Sequence, residues 1–226
     1  MSNEAIFFFF LALNLTLLLL LFRFFGRLGL YVSIVLSIVL CNIQVLKQVD
    51  LFGLHATLGN VLYAGIFLAT DLLNERYGQK EARKGVLIGF IASVAMMAYM
   101  SIALVYTPNE YDVMHEHMAA IFGLVPAITF ASLAAYVISQ LHDVTVYHWL
   151  RERTGGRMLW LRNNLSTITS QLLDTAVFTG LATLLGAFPV EAALEIFLVT
   201  WIIKVLIAVL DTPFIYMAVR FTPTER

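Results

Sequence analysis

Seven stretches of the chain are each long and apolar enough to cross a bilayer, and no other feature limits the fold as strongly. They run Ala5–Phe22, Leu28–Leu46, Ala56–Leu73, Gly85–Tyr106, Met118–Ile138, Leu165–Phe188 and Ala193–Val219. A spanning helix needs about 20 apolar residues to match a hydrocarbon core about 30 Å thick. Inside lipid a segment must satisfy its own backbone N–H and C=O groups, so each stretch reads as a helix. The predicted fold class is an all-α integral membrane protein with seven transmembrane helices. Only 13% of the 226 residues are charged, where a soluble domain carries about 25%.

The basic residues set an orientation. Arg23 and Arg27 follow the first span, Arg76, Lys80, Arg83 and Lys84 the third, Arg151, Arg153, Arg157 and Arg162 the fifth, and Arg220 and Arg226 the last. The other side holds only Lys47. Positive residues mark the cytoplasmic loops. The N-terminus is therefore expected outside and the C-terminus in the cytoplasm, with the chain embedded in a plasma membrane. The first span has no basic residues before it and no small-residue cleavage site after it, so it reads as a retained helix rather than a signal peptide. One transmembrane domain over residues 1–226 is expected, bounded on one side by the lipid bilayer.

Several function classes fall away. A net charge of −1 gives no footprint for nucleic acid. The single Cys41 excludes an internal disulfide and a multi-cysteine metal site. There is no H-E-x-x-H, no G-x-S-x-G and no phosphate-binding glycine loop. No cofactor, no metal and no enzymatic activity are expected, and nucleotide-driven transport by this chain alone is not indicated. His115, Glu116 and His117 form too sparse a set for a metal site.

Ionisable side chains inside the bilayer are the default functional candidates, because each costs about 2.5–3.5 kcal/mol at a helix centre. At about 1.5 Å per residue, Asp174 lies about 13 Å from the inner end of its span and Lys204 about 16 Å from the outer end of its own. Both are near the midplane, and the expectation is that they face each other or share a polar cavity. Asp71 falls in the inner half of the third span, with Glu75 one turn on. Thr167, Gln171 and Asp174 stack on the sixth span beside Ser166 and Ser170. Asn42 and Asp211 add polar groups on the second and seventh spans, and Pro213 frees a carbonyl one turn back. Plain alternatives stay open: helix-to-helix hydrogen bonding for Asn42, Ser166, Thr167 and Ser170, a buried ion-pair lock for Asp71, Asp174 and Lys204, and a helix-end salt bridge between Glu75 and Arg83. Tyr77-Gly78 reads as a helix end, since glycine tolerates the left-handed conformation.

Three blocks carry a resemblance. "ATDLLNERYGQKEARKG" contributes Asp71, Glu75, Tyr77-Gly78 and Ala82-Arg83; "ISQLHDVTVYHWLR" contributes Gln140, Asp143 and Tyr147; "NLSTITSQLLDTAVF" contributes Ser166, Ser170, Asp174 and Thr175. Together with Lys204, these blocks resemble the queuosine precursor transporter family of vitamin-uptake-type carriers. The resemblance covers about Leu30 to Val219. It implies a six-helix core, 28–226, to which residues 1–27 add an extra N-terminal helix. It also implies import of 7-cyano-7-deazaguanine and/or 7-aminomethyl-7-deazaguanine. On that basis Asp71, Asp174, Lys204, Gln140, Gln171 and Asn42 are expected at the substrate, and Glu75, Arg83, Asp143 and Asp211 at a gate or coupling site. A carboxylate can accept two hydrogen bonds from a guanine-like edge. The partners implied are the 7-deazaguanine itself and, for so small a carrier, a second copy in a homodimer. Two readings from other classes stay open: a substrate-binding subunit that needs a separate energising partner, and an intramembrane aspartyl enzyme.

Overall fold

The computed structural model describes residues 2–123, 126–186 and 189–221. Its first helix, α1 (Asn3–Gln44), holds both of the first two apolar stretches. Ser2 caps it, accepting from the Ala5 amide at 3.3 Å, as a serine at that position does. The two arms of α1 are separated only by Gly26, whose φ of 54° and ψ of −130° break the helix. The chain doubles back there: Asn3 donates to the Asp50 carbonyl at 3.0 Å, and Gly29 sits so tightly against the Leu21 carbonyl that no Cβ would fit. The first arm is no loose anchor. Phe7, Leu11, Leu15, Leu18 and Phe22 are buried, and the Asn14 amide donates to Val61 O at 3.3 Å.

A β-hairpin follows, β1 (Gln48–Leu51) and β2 (Leu54–Thr57), antiparallel with Leu51 opposite Leu54 and Gln48 opposite Thr57. Phe52 and Gly53 form the turn with φ of 54° and 77°. Positive φ at both central residues matches the right-handed strand twist. The third apolar stretch was expected to be helical from Ala56; instead the helix starts at Asn60, because residues up to Thr57 are spent on the hairpin. The second stretch likewise ends its helix at Gln44, short of Leu46.

The remaining helices are α2 (Asn60–Tyr77), α3 (Gln79–Val105), α4 (His115–Phe122), α5 (Pro126–Arg153), α6 (Leu159–Leu184) and α7 (Val190–Ala218). Gly78, at φ 87°, separates α2 from α3 as its sequence context indicated. The fifth stretch, Met118–Ile138, is not one helix. Gly123 ends α4 and Pro126 opens α5, a proline being tolerated in the first turn and excluded further in; residues 124 and 125 lie outside the described residues, as do Phe188 and Arg226. The long α5 continues to Arg153 before Gly155 and Gly156 turn the chain, both at positive φ. Helix α7 runs through Pro213 without a break in its assignment.

Helix α2 is the centre of the bundle: its residues from Ala64 to Asn74 are all buried, and α1, α3, α5, α6 and α7 all pack on it. Close approach is set by small residues. A side chain at Gly65 would meet the Asn14 amide at 2.7 Å, and one at Gly89 would run into the Tyr136 hydroxyl. Among the described residues, three helices are long and apolar enough to cross a membrane: Asn3–Gln44, Gln79–Val105 and Ala193–Ala218. Their outer faces expose Phe9, Leu28, Leu87, Ile102, Leu194 and Ile202. Such continuous apolar surface suits lipid and not water.

The basic connections collect at one end. Arg27 pairs with Glu81 at 3.2 Å, Glu75 meets Arg151 and Arg162, and Arg76 donates to the Val219 and Phe221 carbonyls. Lys84 and the Tyr31 hydroxyl also donate to the Glu81 carboxylate. At the opposite end Glu4 accepts from the Phe52 amide at 3.2 Å. The N-terminal residues and the end of α7 thus lie at opposite ends of the bundle.

Candidate functional site

Polar side chains run through the interior between α2, α5, α6 and α7 in three tiers. In the first tier, Lys204 on α7 donates to Asp174 Oδ2 on α6 at 2.5 Å. Only 6% and 5% of these two residues are exposed. The expected approach of the two charges is therefore found. Asp174 Oδ1 accepts from the Tyr63 hydroxyl at 2.5 Å and from Ser139 at 3.1 Å. Lys204 also reaches Thr175 at 3.4 Å and lies 4.9 Å from the centre of the Tyr63 ring. Four helices meet on this one ion pair, and both of its charges are matched.

The second tier is acidic. Asp71 on α2 and Asp143 on α5 are neighbours, and Asp211 on α7 lies near enough to both for their charges to interact. Asp71 Oδ2 accepts from Thr167 at 3.5 Å and Asp211 Oδ1 from Asn163 at 2.9 Å. Ser166 and Ser170 flank Asp143, but their hydroxyls are engaged with the Asn163 carbonyl and with His142 Nδ1. Among the described residues, Asp71 Oδ1 and both Asp143 oxygens are buried without a hydrogen-bond partner. Asp71 and Asp143 nevertheless stand close enough to share a hydrogen bond with each other, and Ser166 and Ser170 lie within reach of Asp143.

Two glutamines border this tier. Gln140, three residues before Asp143 on α5, has its oxygen 3.3 Å from the Thr70 hydroxyl and its amide nitrogen unpartnered. Gln171, four residues after Thr167 on α6, has neither its oxygen nor its nitrogen paired, and is 0% exposed. Residues three and four apart share a helix face, so both glutamines are directed to the same interior as the acids.

The third tier closes the basic end. Glu75 on α2 receives Arg162 Nη2 at 2.7 Å and Nε at 3.1 Å, the Tyr147 hydroxyl at 3.0 Å and Arg151 at 3.5 Å. Arg162 also donates to the Gly156 and Arg157 carbonyls at 3.0 and 2.7 Å. The salt bridge considered for Glu75 with Arg83 is not formed. Arg83 is exposed, because the turn at Gly78 sends the next helix outward, and Arg162 takes its place. Asn42 spends its amide on the Ile38 carbonyl and on Ser93 of α3, at 2.7 and 3.3 Å, apart from the three tiers. The acids that meet are Asp71 and Asp143.

Sequence reasoning missed Arg162, Tyr63 and Asn163. Arg162 was counted as a loop charge, yet it stands four residues before Ser166 and eight before Ser170, on their face. Tyr63 precedes Thr70 by seven residues, the same stripe of α2. That spacing was the available signal.

The sequence profile of the family described as "Putative vitamin uptake transporter" matches residues 57–218. The chain belongs to this family. All three tiers lie within the matched region, and both arms of α1 lie before it. A "Probable queuosine precursor transporter" of Bacillus subtilis (strain 168) is 41% identical over 226 residues, covering 100% of this chain and 98% of that protein. The "Queuosine precursor transporter" of Escherichia coli (strain K12) is 32% identical over 74% of each chain. A "Probable queuosine precursor transporter" of Haemophilus influenzae is 30% identical, over 62% of this chain and 57% of that one. No solved structure matches the chain. The protein is thus a membrane transporter and not an enzyme. The alignment with the Bacillus subtilis protein extends over the residues of α1 as well.

Proposed function

We propose that this transporter imports queuosine precursors, 7-cyano-7-deazaguanine and/or 7-aminomethyl-7-deazaguanine, through a polar path between α2, α5, α6 and α7. The observation that carries the reading is the set of buried polar groups at Asp71, Asp143, Gln140 and Gln171, each with at least one atom that no close hydrogen bond satisfies. An interior that withholds partners from its own carboxylates and amides is prepared for a small polar guest. A lactam-type purine edge places a donor beside an acceptor, and a carboxamide such as that of Gln171 places an acceptor beside a donor. The names of the relatives give the same substrate class.

In this reading seven crossings put the N-terminus outside and the basic end in the cytoplasm of a prokaryotic plasma membrane. Asp174 and Lys204 hold α6 to α7 beside the substrate, with Gln140 and Gln171 next to it. Glu75 with Arg162 forms the inner gate, in the role first given to Glu75 and Arg83, and Asp211 links α7 to that gate through Asn163. Alternating access then needs the third tier to open while the first holds.

The test is queuosine in tRNA. Cells that cannot make the precursor and lack this protein are fed external precursor, with and without the restored gene. Queuosine should appear only with the gene. Queuosine in both, or in neither, removes the proposal. Uptake by the purified chain alone in lipid vesicles distinguishes a complete carrier from a subunit that needs an energising partner.

A further inference from the structure

The side chains of Asp71 on α2 and Asp143 on α5 are 1% and 0% exposed, and they stand within hydrogen-bond reach of each other. An ionised carboxylate only accepts hydrogen bonds, so two carboxyl groups bond each other only when one of them carries a proton. Ser166 and Ser170 on α6 lie within reach of Asp143, and Thr167 donates to Asp71 at 3.5 Å, but a hydroxyl brings no charge. The pair is thus built around one proton, as adjacent acids closed off from water are.

The charged groups around it do not replace that proton. The other acids that bear on Asp71 are Asp211 on α7 and Glu75 one turn along α2. The buried cations are committed elsewhere: Lys204 on α7 to Asp174, and Arg162 on α6 to Glu75 and two backbone carbonyls. On α5, His142 has its Nδ1 2.8 Å from Ser170 Oγ. On α1, Cys41 donates to the Ile38 carbonyl and Tyr31 to Glu81 of α3.

A line of proton-carrying groups leads from the pair to the basic end. Tyr147 stands four residues after Asp143, on the same face of α5. It lies near enough to Asp71 for their charges to interact, and its hydroxyl donates to Glu75 at 3.0 Å. The pair is also a contact with two states. With the proton it clips α2 to α5. Without it two negative charges face each other and repel, which favours separation of the two helices. Gain and loss of one proton therefore bias the packing of α2, the helix that carries the gate acid Glu75.

We infer that the Asp71–Asp143 pair is the coupling site of the transporter and that the coupling ion is a proton, bound from outside and released past Tyr147 and Glu75 to the cytoplasm. This rests on the function proposed above and adds its driving force. The step balances simply: the pair takes up one proton on the outer side, gives up one on the inner side, and no bond of the substrate changes.

The experiment is uptake of labelled 7-cyano-7-deazaguanine by the purified full chain in lipid vesicles. This compound has no ammonium, so a pH gradient acts on the protein and not on the charge of an amine. With the lumen one pH unit more alkaline than the medium, one proton per substrate sustains accumulation of up to about tenfold, and a protonophore should return the compound to equal concentrations. Equal concentrations without the protonophore overturn the inference, as does accumulation that follows a sodium gradient instead. Asp71→Asn and Asp143→Asn should each lose accumulation, and a variant that still concentrates the compound about tenfold puts the proton elsewhere. A second readout needs no transport. In infrared spectra one protonated-carboxyl C=O band should be lost or shifted by Asp71→Asn and by Asp143→Asn alike, because the two groups share one proton. A spectrum in which no such band responds to both substitutions overturns the inference. If the compound does not enter at all, with or without a gradient, the queuosine-precursor reading itself fails.

Discussion

Arg162, on the first turn of α6, reaches across to Glu75 on the last turn of α2 and binds both of its carboxylate oxygens, at 2.7 and 3.1 Å. With 2% of its side chain exposed, the arginine is one of the largest fully buried side chains in the protein. It also caps the turn between α5 and α6 through the Gly156 and Arg157 carbonyls. One guanidinium thereby ties three helices together. Its neighbour along α2, Arg76, ties the end of α7 through the Val219 and Phe221 carbonyls.

Removing one partner of a buried pair leaves the other charge uncompensated, at a cost of about 3–5 kcal/mol. Arg162→Ala should therefore lower the midpoint of thermal unfolding in detergent sharply. Arg162→Lys should recover little, since an ammonium cannot make the planar two-point contact. A lysine variant as stable as the parent would show that charge alone suffices. Arg83→Ala, at an exposed site, should stay within about 0.5 kcal/mol of the parent.

The Asp174–Lys204 pair is expected to be required for transport. Asp174→Asn and Lys204→Met should each abolish uptake while the protein still reaches the membrane. The double variant removes both charges, so its stability should exceed that of either single one, without any return of transport. Near-normal uptake by either single variant would take this pair out of the transport path.

Packing between α3 and α5 offers a test through a double substitution. Gly89→Ala forces a Cβ into the Tyr136 hydroxyl, and overpacking of this kind costs about 1–3 kcal/mol. Adding Tyr136→Phe deletes the obstructing oxygen. The pair should then be more stable than the sum of the single effects by about 0.5 kcal/mol or more. Simple additivity in denaturation measurements would mean that the helices separate instead.

Orientation is open to direct labelling. In a chain with Cys41→Ser, a cysteine replacing Ser2 should react with a membrane-impermeant reagent in intact cells. A cysteine replacing Arg83 should react only after permeabilisation. The reverse pattern would invert the assignment drawn from the basic residues.

Much of the architecture was legible because lipid imposes a simple rule. Apolar runs long enough to span must be helical, and basic residues collect at one end, which is how Arg27, Arg76 and Arg151 come together. Gly78 was readable as a helix end for a similarly local reason. The hairpin at Gln48–Thr57 was not, since its strands are four residues each and merge with apolar text on either side. The break at Gly123 was missed because hydropathy does not register where a backbone turns.

For the site, the sequence by itself determined which side chains are expensive. Asp71, Asp174 and Lys204 stand out in any apolar context, and depth alone brought Asp174 and Lys204 to one level. Only the tertiary structure decided who satisfies whom. It gave Asp174 a lysine, a tyrosine and a serine, gave Glu75 an arginine from 87 residues away, and set Asp143 against Asp71. Pairings of that kind depend on how helices rotate about their axes and cross. That rotation is fixed by the close contacts at Gly65, Gly85 and Gly89, which a count of residues along the chain does not contain.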